Sequence, residues 1–221
     1  MKRNTAFFLS GGAGRMLSAI PALELYEKEN PEDDFVIVCE GTWEMFRGHS
    51  LQRRCIGPDL PHVFTEKIKD RNCVSTEPYR VWEYYNQKCS LRQAFDIQIN
   101  NKGVRDVSKP VLHLSSDEDV KGYHLVAQGK KHTGKDKAIV LQPFGRSSKN
   151  EDGFVYDSGG RSLDIMDTIE LVKKLKKDFC VFLMSEHKLK SEEGDDTWKN
   201  VGQPENIDLR GWAGIINNCD H

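Results

Sequence analysis

The chain has 221 residues, 38% apolar and 30% charged, which at about 150 residues per domain suits one large α/β unit or two small lobes. Its 32 Lys and Arg against 34 Asp and Glu leave a formal charge of −2, so no electrostatic case exists for a nucleic-acid partner. No apolar run reaches the ~18 residues of a membrane span, and the short run at 6–9 is too brief for a secretory signal, so a soluble, cytoplasmic protein is expected.

Residues 6–9 read as a short buried strand, bounded by Ser10-Gly11-Gly12-Ala13-Gly14. Met16, Ile20 and Leu23 follow at helical spacing, and residues 35–39 make a second apolar strand. Strand, glycine loop, helix, strand is the opening of a parallel α/β sheet. Ser18 offers a helix cap that keeps Pro21 in the first turn, which would leave 11–19 as an open loop. A helix is predicted over 42–55 around Trp43, Met45 and Phe46, and another over 81–91 carrying Trp82, Tyr84 and Tyr85. Residues 95–100 alternate apolar with polar, the pattern of a half-exposed strand. A short apolar run at 111–114 precedes Asp117-Glu118-Asp119.

The polar, basic, glycine-spaced segment 128–137 is the expected linker. It divides an N-terminal domain of 1–127 from a C-terminal one of 138–221. There the opening pattern returns, with a strand at 138–141 and a turn-rich loop at 142–148. Ser162 is the expected cap of a helix with Asp164 in its first turn and Ile165, Ile169 and Val172 on one face. Lys173, Lys174, Lys176 and Lys177 crowd its end, where cations suit the helix dipole. Residues 179–184 are the next strand. Too few residues follow Met184 to finish a second such unit, so the fold class expected is α/β, with two Rossmann-like lobes and the second incomplete.

Several motifs bear on chemistry. Gly12-x-Gly14 follows a strand and precedes a helix, where bare backbone N–H groups attract an anion. Leu17 occupies the third glycine position of the dinucleotide fingerprint, and no G-K-[ST] follows, so a plain tight turn stays open as the other reading. Asp117-x-Asp119 has the spacing of a pair that holds a divalent cation through oxygen, although acidic triplets in loops are commonly solvated. The seven histidines show no H-x-H or H-E-x-x-H, and no G-x-S-x-G elbow appears. Tyr79, Trp82, Tyr84 and Tyr85 form an aromatic cluster for which core packing is expected, with stacking on a sugar or base as the alternative. The six cysteines have no zinc or redox spacing, so reduced thiols are expected, with Cys39 and Cys180 buried.

Three segments together resemble glycosyltransferase family 9, the ADP-heptose:lipopolysaccharide heptosyltransferase group. Gly14-Arg15-Met16-Leu17-Ser18-Ala19-Ile20-Pro21-Ala22-Leu23 looks like the family's first loop and helix, G-D-x-x-x-x-x-P-A-L. Ile139-Val140-Leu141-Gln142-Pro143-Phe144-Gly145 looks like the strand and P-G loop that open its second domain. The segment 207–220 looks like its L-x-G…ELAALI-x-x-A-D stretch. The resemblance implies a GT-B fold of two Rossmann-like domains and transfer of a sugar from a nucleotide-diphosphate donor to a glycan or lipopolysaccharide-type acceptor. It implies no metal and no cofactor. Gly12, Gly14 and Arg15 would then line the acceptor side, and Gly145, Arg146, Ser147 and Arg161 would face the donor phosphates, where cations and loop amides stabilise the departing diphosphate.

Two departures stand out. The family's acidic general base after the first-loop glycine falls on Arg15, which stays protonated and cannot accept the acceptor's proton. It can instead hold a phosphate or sugar carboxylate through two N–H groups. The family's D-S-G-x-x-H donor loop is expected just beyond Asp220, where the sequence stops, so the remainder is expected to come from another copy or a separate chain, or to have been lost from this sequence. The alternatives are a non-enzymatic binding or assembly protein on the same fold, and a metal-dependent GT-A transferase using Asp117 and Asp119.

Overall fold

The computed structural model describes residues 4–145, 147–151, 154–190 and 195–221. The chain divides into two compact units, Met1–His113 and Leu114–His221.

Unit 1 is built from β1 (Thr5–Gly11), α1 (Ala13–Glu29), β2 (Val36–Gly41), β3 (Cys55–Ile56), β4 (Asn72–Ser75), α2 (Trp82–Tyr85) and α3 (Leu91–Asn100). Its strands form one parallel sheet in the order β3-β2-β1-β4. Successive side chains of a strand point to opposite faces. Phe7, Leu9, Ile37 and Cys39 therefore pack with Met16, Ile20 and Leu23 of α1 and Phe95 and Ile99 of α3. Ala6, Val36 and Val38 meet Val63 and Ile68 on the other face. At the amino end of β1 a buried carboxylate ties the sheet to its helix. Asp33 accepts from the Thr5 N–H at 3.1 Å, the Thr5 hydroxyl at 2.6 Å and the Tyr26 hydroxyl.

The helix after the glycine loop starts earlier than its expected Ser18 cap. Gly12 is the N-cap of α1, and Pro21 lies inside the helix. Loss of one helical hydrogen bond at Pro21 costs about 3 kcal/mol. Burial of Met16, Ala19, Ile20, Ala22 and Leu23 outweighs it, at about 1.5–3 kcal/mol for each large side chain. Residues 42–55 are not one helix but two short turns, Trp43–Phe46 and Ser50–Arg54. Residues 95–100, expected as a strand, belong to α3. Ser90 and Gln93 close a capping box at its start, with the Ser90 N–H donating to Gln93 Oε1 at 2.9 Å. Phe95 and Ile99 recur four residues apart on the buried face, and that spacing prevails over the local alternation. Residues 111–113 form no strand.

Unit 2 contains α4 (Ser116–Thr133), β5 (Lys137–Leu141), β6 (Ser148–Glu151), β7 (Phe154–Asp157), α5 (Ile165–Leu175), β8 (Phe179–Leu183) and α6 (Leu209–Asn218). β5 and β8 pair in parallel, and β6 and β7 form an antiparallel hairpin. Residues 128–133, expected as linker, are the last turns of α4. The helix has a Ser115–Glu118 capping box, acids in its first turn, cations in its last, and Gly134 in the left-handed conformation at its end. Asp164, not Ser162, caps α5, its carboxylate accepting from the Met166 N–H at 2.7 Å.

α4 and α6 cross at glycines. A Cβ on Gly122 would lie 2.2 Å from the Gly214 carbonyl, and one on Gly214 would lie 2.4 Å from Glu118 O. Beside this crossing Arg210, 1% exposed, donates to both Glu118 oxygens at 2.5 and 2.6 Å. The guanidinium holds the Glu118 carboxyl at a pKa of about 2. The six cysteines are free, with Cys39 and Cys180 buried. Among the described residues no helix is long and apolar enough to cross a membrane.

Candidate functional site

In an open parallel sheet ligands bind beyond the carboxyl ends of the strands. In unit 1 that edge holds the β1–α1 loop, the end of β2 and the segment after β4. Gly11 turns the chain at φ +107, a conformation that glycine adopts without a Cβ penalty. A Cβ on Gly12 or Gly14 would meet nothing within 4 Å, so packing within the chain does not demand glycine there. Their effect is to leave bare backbone at the start of α1. That start has no side-chain cap and no acid in its first turn, and it carries the cation Arg15 against the helix dipole.

Arg15 lies across Gly11, whose Cβ would stand 2.7 Å from Arg15 Cδ. Its guanidinium donates to the Thr76 carbonyl at 3.1 Å and to Glu77 Oε2 at 3.4 Å, and it sits over the Tyr79 ring, 5.2 Å from the centroid. The expected free anion-binding fork is thus partly engaged, bracing the β1 loop against the β4 loop. Arg15 Nε remains buried with no partner, as does Thr42 Oγ1 just after β2. A buried unpaired polar group costs about 1–3 kcal/mol, so this edge holds hydrogen-bonding capacity that the fold itself does not use.

Glu77 is the functional candidate that sequence reasoning missed. It brings a half-exposed carboxylate to the strand edge beside Arg15. Its signal was weak because β4, Asn72-Cys73-Val74-Ser75, is short and barely apolar.

In unit 2 the loop after β5 is organised on one internal carboxylate. Asp157 Oδ1 accepts from Ser147 Oγ at 2.6 Å and the Gly159 N–H at 2.8 Å. Its Oδ2 accepts from the Arg161 N–H at 3.0 Å and Ser162 Oγ at 2.9 Å. These bonds, the Ser147 hydroxyl first, hold the Asp157 carboxyl at a pKa of about 2. The Gly145 N–H donates to Ser162 Oγ at 2.8 Å. Of the groups expected to meet donor phosphates, Gly145, Ser147 and the Arg161 backbone are therefore turned inward. The Arg161 side chain is exposed, and Arg146 lies outside the described residues.

Two other constellations are engaged in bonds within the fold. Ser148 Oγ lies 2.9 Å from His187 Nε2, but the same nitrogen is 3.1 Å from the Ser148 carbonyl. The Ser148 hydroxyl itself donates to the Gly145 carbonyl at 2.7 Å, so its proton is directed away from the ring. Asp117 pairs with Lys121 at 2.7 Å, while Asp119 accepts from Asn217 and Asn218 of α6, each at 2.9 Å. Both acids sit in the first turn of α4, where negative charge suits the dipole. No group of three metal-binding side chains occurs among the described residues.

No protein-family model matches the chain, and no curated protein sequence matches it. Among solved structures it is similar to the dodecameric iron-containing heptosyltransferase TibC in complex with ADP-D-β-D-heptose, at 10% identity and a TM-score of 0.41. It is also similar to the bacterial iron-containing dodecameric glycosyltransferase TibC from enterotoxigenic E. coli H10407, at 10% identity and a TM-score of 0.43. Each match covers 82% of this chain and 53% of that one, so the chain spans about half the length of these structures.

Proposed function

We propose that the chain belongs to a glycosyltransferase-type protein that moves a sugar from a nucleotide diphosphate to a glycan hydroxyl, with unit 1 as the acceptor side and unit 2 as the donor side. The observation that carries this reading is the Arg15–Glu77 pair at the carboxyl edge of the unit 1 sheet. Where the resembling family places an acid, this chain has Arg15, and a carboxylate from the β4 loop stands beside it. Glu77 takes the acceptor hydroxyl's proton as that oxygen bonds to the sugar's anomeric carbon, and the nucleoside diphosphate leaves with the electrons of the broken bond. Arg15 orients Glu77 and cannot itself act as the base.

Glu77→Gln keeps the shape and removes the basicity. It is expected to lower the transfer rate by about 10²–10⁴, the usual contribution of a positioned acid or base, with little change in donor affinity. Retention of full turnover by Glu77→Gln would exclude this role.

Donor binding is tested by thermal shift of the chain with ADP, UDP, GDP and CDP, with and without manganese. A metal-independent rise with one nucleotide, diminished in Arg161→Ala, is the expected result. Equal shifts in Arg161→Ala remove that residue from the site, and a rise only with manganese turns attention to Asp117 and Asp119.

A second reading, glycan binding without transfer, is favoured by Asp157. Its carboxylate takes the donors that a departing diphosphate would need, so a phosphate must displace it first. Absence of any nucleotide-dependent shift together with retained glycan binding supports this reading over the first.

A further inference from the structure

The segment after β4 presents aromatic side chains that the core does not take. Tyr79, Trp82 and Tyr85 are 46, 60 and 81% exposed, and α2 buries none of its residues, contrary to the expected core packing. A cluster of exposed aromatic surface marks an interaction site more often than an accident of packing. Tyr79 and Tyr84 meet edge to face with centroids 5.7 Å apart, and Lys88 Nζ stands 4.1 Å from the centroid of Trp82. Tyr79, Tyr84 and Tyr85, with Gln87 and Cys89, line an open concavity of about 620 Å³.

The wall of this concavity is built at some conformational cost. Gln87 holds a left-handed backbone at φ +57, a strained state for a residue with a Cβ and one that clusters at ligand sites. The turn is secured by the Gln87 N–H to Tyr84 O at 2.9 Å and the Lys88 N–H to Glu83 O at 2.7 Å.

We infer that this concavity is a carbohydrate subsite that takes an uncharged pyranose ring. The five lining residues carry no charge and offer rings, phenolic hydroxyls and one carboxamide. A pyranose has the matching character, with an apolar C–H face and a rim of hydroxyls that are both donors and acceptors. The volume falls within the ~300–1,000 Å³ of small-ligand sites. A nucleotide would need a cation for its phosphates, and none of the five lining residues is one. The inference rests on the acceptor side of the transferase reading. It adds that the acceptor's docking sugar is neutral and that Tyr79 and Tyr85 select it.

The test is saturation-transfer NMR on the whole chain with the methyl glycosides of glucose, galactose, mannose and N-acetylglucosamine. Each is used at ~10 mM, well above a Kd of 1 mM, with N-acetylneuraminic acid as the anionic comparator. Transfer to ring C–H protons of at least one neutral glycoside is expected, reduced at least about fivefold in Tyr85→Ala and in Tyr79→Ala. Both side chains are exposed, so unchanged melting temperatures confirm that the variants fold. The inference is overturned by absence of transfer to every neutral glycoside, by equal transfer in both variants, or by preference for the anionic sugar. A Tyr85-dependent dimer in sedimentation that binds no sugar overturns it as well. A nucleotide shift without glycoside binding removes this subsite and leaves the transferase reading standing. Glycoside binding without any nucleotide shift does the reverse.

Discussion

Gly122→Ala is expected to destabilise unit 2 by about 3 kcal/mol, the upper end for overpacking. The added Cβ would lie 2.2 Å from the carbonyl carbon and oxygen of Gly214 and 2.8 Å from the Ile215 nitrogen. These are backbone atoms, so no rotamer change relieves the clash. The helices must separate by about 1 Å or more to reach ordinary contact distance, and every contact along α4 and α6 is weakened together. That separation also lengthens the Arg210–Glu118 pair, which now bonds at 2.5 and 2.6 Å. Trp212, on α6 near the crossing, reports the change in a denaturant titration followed by fluorescence. Gly103→Ala is the control, because a Cβ there meets nothing within 4 Å; a shift within about 0.5 kcal/mol is expected. Equal midpoints for the two variants would show that the helices do not cross at these glycines.

Arg105→Ala is expected to cost unit 1 about 3–5 kcal/mol by leaving a buried charge without its partner. Asp96 is fully buried. Its oxygens accept from Arg105 Nε at 2.5 Å and Nη2 at 2.7 Å, with Asn100 Nδ2 at 2.7 Å as the remaining donor. Removing both partners at once should be far milder, so Arg105→Met with Asp96→Leu is expected to recover much of the loss. Failure of the double variant to improve on Arg105→Ala would mean that the pair is not the source of the effect.

The same arginine sets part of the acid response. Arg105 and then Lys102 hold the Glu29 carboxyl at a pKa of about 2, as Arg210 does for Glu118 in unit 2. A carboxyl with a depressed pKa stabilises the fold fully above its ordinary value near 4.5 and loses that contribution as pH falls toward the folded value. Stability should therefore decline between about pH 4.5 and pH 2, and Arg105→Ala should flatten the part due to Glu29. An unchanged acid profile in Arg105→Ala would exclude that linkage.

Local pattern was a good guide to the longest apolar runs. The runs at 6–9, 35–39, 138–141 and 179–184 are dense in Phe, Val, Ile and Leu, and each forms a strand of a parallel sheet. Pattern misled at 95–100, where Phe95, Ile97 and Ile99 fit a strand as readily as they fit half a helical face. The Ser90–Gln93 box and the packing of Phe95 and Ile99 beside α1 select the helix. It misled again at 128–133, because a basic segment spaced by glycines has the composition of a loop as well as that of a helix end. The β1 loop was found from its glycines. The Arg15–Glu77 pair was not, since its two members lie 62 residues apart in the chain.

By itself the sequence determined the α/β class, the parallel openings at residues 6 and 138, and the bare glycine loop ahead of α1. Each follows from short-range periodicity and from backbone freedom at single residues. The tertiary structure decided which polar groups are spent and which remain. It turned the expected donor loop inward onto Asp157, drew Asp119 into the packing of α4 on α6, and paired Arg15 with Glu77. It also left Tyr79, Trp82 and Tyr85 outside the core. The reason is that hydrogen bonds and burial are made between residues distant in sequence, so a residue type states what a side chain can do, and only its neighbours in space determine what it does.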